Sequence, residues 1–326
     1  MHTGLIPLIE AEDIHVHFGS ARAVDGASIR IMPGEVVALV GESGSGKTTL
    51  IRALQGLQSI TSGGIRVRGE QPDWVSKRRG HKVFNDPTIQ MVFQDPTGAL
   101  NPRHTIYEIV AEGLRIRGRR EDEEELVAQA LSRSGLRPPQ HFFNLYPHQI
   151  SGGQRQRVVI AGALVMEPAL LLADEPVASL DASIRGEILA LLRGLVDDMG
   201  LAVLVVTHDL GLAWNIADRI AVMYLGRIVE IGTAEELLSA PLHPYTKALL
   251  SVVPDAEGVE PQILIGEIPD LNRVPPGCRF HPRCPLLQSG VLPDTVTERC
   301  RGMDPGSVAV DSPRSAACWA VKEGLG

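Results

Sequence analysis

The chain has 326 residues, enough for one large domain with a smaller one, or for two domains. Hydrophobic residues make up 44% of it, which excludes a chain too polar to bury a core. A formal net charge of −8 gives no general basic footprint for nucleic acid, and no apolar run reaches the roughly 18 residues a membrane-spanning helix needs.

In chain order, Met1–Glu10 lacks a basic region followed by an apolar core and a small-residue cleavage site, so no secretory signal and a cytosolic setting are expected. Phe18, in His17-Phe18-Gly19, is a candidate for stacking on adenine, with a core aromatic as the competing reading. Glu35–Val40 (EVVALV) reads as a buried parallel strand. It feeds the glycine-rich run Gly41-Glu42-Ser43-Gly44-Ser45-Gly46-Lys47-Thr48, and Lys47–Leu57 then has helical spacing with Leu50, Leu54 and Leu57 on one face. A strand, a glycine loop and a helix in that order form a phosphate loop: backbone N–H groups and the helix N-terminus face negative charge. Lys47 would reach the β- and γ-phosphates, and the Thr48 hydroxyl would ligate Mg²⁺.

Gln94, in Met91-Val92-Phe93-Gln94-Asp95, ends a short apolar strand, where its amide can touch both Mg²⁺ and an attacking water. From about residue 101 to 164 the pattern is mainly helical, and Arg115–Glu125 (RIRGRREDEEE) reads as a solvated turn and helix start. Two further apolar runs, Ala169–Ala173 and Leu201–Val206, end in Asp174-Glu175 and Thr207-His208. Ligands of parallel sheets bind beyond the carboxyl ends of the strands, so these residues are expected at a nucleotide. Asp174 is the expected Mg²⁺-linked acid. Glu175 is the expected base that polarises the water, and His208 can contact the γ-phosphate.

Beyond Gly232 the texture changes to a loop-rich tail punctuated by Pro241, Pro244, Pro254, Pro261, Pro269, Pro275 and Pro276, and a boundary is expected near residue 240. All four cysteines, Cys278, Cys284, Cys300 and Cys318, lie in this tail. Their spacing is not the paired CxxC of common zinc sites. Four thiolates can hold a [4Fe–4S] cluster; zinc, or free thiols, are the alternatives.

Ser151-Gly152-Gly153-Gln154-Arg155 makes the reading specific, because it resembles the signature motif of ATP-binding-cassette (ABC) ATPases. The resemblance covers residues 8 to 240 and includes Phe18, the loop 41–48, Gln94, Asp174, Glu175, Ser179-Leu180-Asp181 and His208. It implies an α/β P-loop NTPase with a RecA-like mixed sheet core over residues 1–240, a helical subdomain at about 96–164, and a small cysteine-containing domain at 241–326. It implies ATP and Mg²⁺ as cofactors, with Gly41, Ser43, Gly44, Ser45, Gly46, Lys47, Thr48, Thr49 and Asp174 on the nucleotide beside Phe18. Glu175, His208 and Gln94 would be catalytic, and Thr48 and Gln94 would face Mg²⁺. Cassettes of this family pair head to tail, so Ser151, Gly152, Gly153 and Gln154 would face the γ-phosphate held by a second subunit.

Gln90–Pro102 (QMVFQDPTGALNP), Tyr146–Arg157 (YPHQISGGQRQR) and His243–Pro254 (HPYTKALLSVVP) are similar to the dipeptide, oligopeptide and nickel branch of importers. Gly277–Pro285 (GCRFHPRCP) is similar to that branch's C-terminal extension. This implies ATP hydrolysis driving peptide import, with nickel or another small solute as the alternative cargo. It also makes an iron–sulfur cluster the leading metal for the four cysteines. The QRQR and Glu175-Pro176-Val177 wording resembles the second of two ATPase subunits that form a heterodimer. The implied partners are that sister subunit, two transmembrane permease subunits and, through them, an extracytoplasmic solute-binding protein. The chain would sit peripherally on the cytoplasmic side of the membrane, with residues 95–105 gripping a permease helix and no nucleic acid bound. A soluble cassette acting on DNA or ribosomes would need tandem cassettes or long coiled-coil insertions, and neither is present. A third reading, a cluster-bearing regulatory module that binds ATP without turnover, is disfavoured by Glu175, His208 and Lys47.

Overall fold

A computed structural model describes residues 6–76, 82–253, 261–306, 308–309 and 314–325. Pro254, the last residue of one importer-like motif, lies outside that set, as do the first five residues. The chain divides into two compact units. The first holds residues 1–32, 37–84 and 207–326, and the second holds 33–36 and 85–206.

In the first unit, strands Ile9–Phe18 and Ala21–Ile31 pair antiparallel, and Ser62–Val67 adds to the free side of the former. Buried Ile9 and Ala11 alternate with outward polar residues, and Ile14 and Val16 resume the alternation after a register shift. A bulge at Asp13 (φ 49°) supplies the extra residue that keeps both halves facing the core. Beyond this small sheet lie Val36–Val40 and Arg219–Tyr224, paired in parallel. Arg227–Thr233 follows antiparallel, and the tail strand Ser315–Ala316 pairs with it. Every residue of Val36–Val40 is buried, as expected for a parallel strand covered on both faces. The turn at Leu225-Gly226 has positive φ at both residues, the geometry that suits the twist of a tight hairpin.

Helix Lys47–Leu54 follows the glycine loop and buries Leu50, Ile51, Ala53 and Leu54. It stops three residues short of the expected Leu57. Gly56 turns the chain at φ 77°, and a Cβ there would lie 2.5 Å from the Phe84 carbonyl oxygen. Leu57 is exposed as a result.

The tail is built into this unit's core. Helix Pro244–Ser251 buries Tyr245, Ala248 and Leu250. Tyr245, Cys278, Phe280 and Cys284 share one apolar cluster with Ala38, Val40, Ile220, Val222 and Tyr224. Phe280 lies 5.2 Å from the Tyr224 ring, 5.4 Å from Tyr245 and 5.6 Å from His243. A smaller cluster gathers Leu292, Val296, Cys300, Cys318 and Ala320.

In the second unit, Ile89–Val92, Leu170–Asp174 and Ala202–Thr207 run parallel in the order third, second, first. Its helices are Pro96–Ala99, Ile106–Ile116, Glu123–Arg133, Gly152–Leu164 and Ala182–Met199. Thr105 starts the second of these with a capping box: its hydroxyl accepts from the Glu108 N–H at 3.3 Å, and the Glu108 carboxylate accepts from the Thr105 N–H at 2.8 Å. The charged run 115–125 is more than a solvated turn, because Arg115 and Glu123 form a 2.7 Å ion pair across it. Among the described residues no helix is long and apolar enough to cross a membrane.

Candidate functional site

The phosphate loop is specified by what its glycines must avoid. A Cβ on Gly41 would lie 2.1 Å from the Met223 carbonyl oxygen, and one on Gly46 2.1 Å from that of Ala23. Both also hold positive φ, 155° and 103°, so the loop closes against neighbouring backbone only with glycine at these points. Lys47 curls back into the loop and donates to the Gly41 and Glu42 carbonyl oxygens at 2.8 and 2.9 Å. Its ammonium is thereby held, buried, at the mouth of the helix N-terminus. The Gly226 N–H donates to the Ser45 carbonyl at 2.8 Å, fixing the loop against the hairpin turn. Ser43 and Gly44 are exposed at its tip, and Thr48 and Thr49 are half-buried in the first helical turn.

Asp174 is buried at the end of its strand. Glu175, next along, is half-buried and has φ 46°, a left-handed backbone that costs a non-glycine residue on the order of 1 kcal/mol. Its N–H donates to the Val206 carbonyl at 3.0 Å, and Gln94 Nε2 donates to its carboxylate at 3.2 Å. The two residues that the sequence singled out from separate strand ends thus meet. His208 is exposed just past strand Ala202–Thr207, in front of the cap at Asp209. Phe18 is 52% exposed, which discards its reading as a core aromatic.

Ser151 begins helix Gly152–Leu164 through another capping box. Its hydroxyl accepts from the Gln154 N–H at 3.2 Å, while the Gln154 side chain accepts from the Ser151 N–H at 2.9 Å. The serine and glutamine of this motif are therefore a helix-start signal in their own right. Gly153 has a packing reason, since a Cβ there would lie 2.8 Å from the Ile184 side chain. Ser151 is exposed, so the helix N-terminus is presented outward.

The four cysteines are all buried and none is in a disulfide. Burial pushes the Cys278 thiol up to about 12 and Cys300 up to about 11, and both are raised further by the charges of other cysteines in the set. Cys284 and Cys318 are raised chiefly by burial as well. The charge of each thiolate acts on the others, although the cysteines are spread from position 278 to 318 and divided between two apolar clusters. A cation would relieve both the burial and the mutual repulsion of thiolates, so this donor set suits a thiophilic metal group. Among the described residues the four sulfurs do not gather within 4.8 Å of one another, as the ligands of one tetrahedral ion must.

Three elements beyond these were not legible in the sequence. Asp25, paired across the strands with His15, accepts from His15 Nδ1 at 2.8 Å and is bonded by the tail residue Arg279. Burial alone would raise its pKa; Arg279, with His15 and His17, holds it well below the usual carboxylate range. His15, His17 and Asp25 stand close enough to hold a metal, but the carboxylate is already committed to these partners. Arg283 donates to both oxygens of Glu42 at 2.8 and 3.1 Å. Tyr245 accepts from the Glu42 N–H through its hydroxyl at 3.0 Å. The signal was the pair of arginines beside the cysteines of GCRFHPRCP, which spacing alone could not match to acids more than 200 residues away.

The chain matches the family model described as ABC transporter over residues 24–178 and that described as oligopeptide/dipeptide transporter, C-terminal region, over 229–290. It is 43% identical over 300 residues to the oligopeptide transport ATP-binding protein OppF of Salmonella typhimurium, covering 86% of this chain and 89% of that one. The chain belongs to the ABC transporter family. Another member, the di/tripeptide transport ATP-binding protein DppF of Pseudomonas aeruginosa, is 41% identical over 310 residues, covering 94% of this chain and 92% of its own. Among solved ABC structures, cbiO1 from Clostridium perfringens, part of the complex cbiONQ, aligns with TM-score 0.64 at 31% identity, covering 72% of this chain and 91% of its own. An ATP-binding cassette solved as a dimer in a post-hydrolysis state with ADP and Pi aligns with TM-score 0.58 at 28% identity, covering 69% and 98%. The P-loop α/β fold expected of an ABC ATPase is thus the observed one.

Proposed function

We propose that this chain hydrolyses ATP to power import of peptides as the peripheral, cytoplasmic-side ATPase subunit of an ABC transporter. The reading is carried by a buried Lys47 inside a glycine loop in one unit and, separately, by a Glu175 carboxylate met by Gln94 in the other. Peptide is favoured over nickel by the matched C-terminal region and by relatives named for peptide transport.

In this reading the loop 41–48, with Thr49, cradles the phosphates, and Phe18 offers its exposed ring to adenine. Thr48, Asp174 and Gln94 would hold Mg²⁺, which would offset the charge of the phosphates. Glu175 polarises a water for in-line attack, and His208 contacts the γ-phosphate. Ser151, Gly152, Gly153 and Gln154 present a helix N-terminus to ATP bound by a second cassette, which we take to be a sister subunit. Two permease subunits, contacted by residues 95–105, and an extracytoplasmic binding protein complete the importer. We assign residues 1–240 to the cassette, about 96–164 to its helical subdomain and 241–326 to the extension.

We further propose that Cys278, Cys284, Cys300 and Cys318 hold a [4Fe–4S] cluster, supported by four buried thiols in one segment, none of them in a disulfide. Such a cluster would brace a loop-rich segment. Co-purification from native membranes, followed by Mg²⁺-dependent ATPase assay with and without peptide, tests the transport reading. A preparation that hydrolyses ATP with no membrane partner and no response to peptide would sink it. Iron, sulfide and visible absorption on anaerobically purified protein test the cluster, and colourless, iron-free protein would refute it.

A further inference from the structure

The second residue of the phosphate loop is held from outside the loop at two points. Arg283 grips the Glu42 carboxylate fork on fork, 2.8 and 3.1 Å, and the Tyr245 hydroxyl accepts from the Glu42 N–H at 3.0 Å. The Glu42 carbonyl, in turn, accepts from Lys47 Nζ at 2.9 Å. Every hydrogen-bonding group of Glu42 is therefore engaged: two by the C-terminal segment, and the carbonyl by the lysine expected on the phosphates together with the Ser45 N–H at 3.2 Å.

The grips are themselves rigid. Arg283 is buried, its guanidinium 5.9 Å above the Tyr224 ring, and the Glu42 carboxylate with Tyr224 raises its pKa further above its ordinary value, so it is always charged. Tyr245 is fully buried, with its ring 4.8 Å from Tyr224 and 5.4 Å from Phe280. Against these stands a loop whose glycines at 41, 44 and 46 leave its backbone unusually free. Ordering such a segment costs conformational entropy, and that cost falls on ligand binding unless something else has met it.

We propose that Arg283 and Tyr245 are positioning residues for the phosphate loop: by fixing Glu42 they hold its N–H groups in the ATP-receiving arrangement, and so set nucleotide affinity. The proposal rests on the ATP reading above. It places a functional demand on the C-terminal segment that neither residue's packing alone would make.

The test is equilibrium binding of Mg·ATP to the full chain, paired with thermal unfolding of each variant. Removal of a bidentate, buried charge pair is expected to weaken ATP binding about tenfold or more in Arg283→Met. Tyr245→Phe, which removes one oxygen and keeps the ring, is expected to weaken it about threefold. Arg283→Lys should recover part of the loss, and Glu42→Gln combined with Arg283→Met should be little worse than Arg283→Met alone. A purely structural role would lower the melting temperature and leave the affinity of the folded protein unchanged. Folded Arg283→Met that binds ATP within twofold of wild type overturns the proposal. If that variant does not fold, Tyr245→Phe decides, and unchanged affinity there overturns it equally. Wild-type protein that binds no ATP overturns the nucleotide reading itself, a result distinct from wild type and variants binding alike.

Discussion

Replacing Phe280 by alanine tests whether the tail and the strands flanking the phosphate loop share one core. The ring is 1% exposed and touches Tyr224, Tyr245 and His243, with centroids 5.2 to 5.6 Å away. Buried Phe→Ala changes cost about 3–5 kcal/mol, and the loss of one edge-on and two tilted aromatic contacts places this one near the middle, at about 4 kcal/mol. Phe280→Leu, which keeps most of the volume, should cost about 1–2 kcal/mol. All three tryptophans, Trp74, Trp214 and Trp319, lie in the first unit, so intrinsic fluorescence follows its unfolding alone. With a urea slope of about 3 kcal/mol/M, the midpoint should fall by about 1.3 M. A shift under about 0.3 M, or loss of tail structure with the Trp74 and Trp214 signals intact, would refute the shared core.

Further outcomes are expected. Glu175→Gln should lower ATP turnover about 10²–10⁴-fold while leaving ATP binding nearly unchanged, measured by single-turnover hydrolysis; undiminished hydrolysis would remove Glu175 from the catalytic role. His243 is buried, and burial depresses its pKa from the ordinary 6.5 to about 3. Between those values the unfolded chain binds one more proton than the folded one, so stability should fall with falling pH at up to about 1.4 kcal/mol per unit. His243→Asn, which keeps a capping side chain at the start of Pro244–Ser251, should flatten that slope in urea titrations between pH 6.5 and 4. Cys284→Ser should remove most of the iron from anaerobically prepared protein, and full retention would exclude Cys284 as a ligand.

The nucleotide site was legible because its chemistry is local. A strand, glycines and Lys47 within a dozen residues, or Ser151 and Gln154 three apart, declare themselves through backbone requirements that short spacing encodes. The meeting of Gln94 with Glu175 was within reach for the same reason, each ending a short apolar strand. The end of the first helix was not, because Leu57 keeps the apolar rhythm while Gly56 turns away to clear Phe84. Nor were Arg279–Asp25 and Arg283–Glu42, which join residues 254 and 241 apart and leave no periodic trace. The solvated turn and helix start expected over 115–125 are present, with the helix beginning at Glu123, but composition cannot reveal that Arg115 and Glu123 face each other across that turn.

The cap at Ser151 has one more consequence. Since serine and glutamine satisfy each other, the donors left at that helix start belong to Gly152 and Gly153, which carry no side chain to shield or to discriminate. Any neighbour approaching there would be greeted by bare main chain. In the role proposed for it, such a surface would answer to the shape of a phosphate and not to the identity of the molecule that presents it, so the choice of companion would be written elsewhere on the chain.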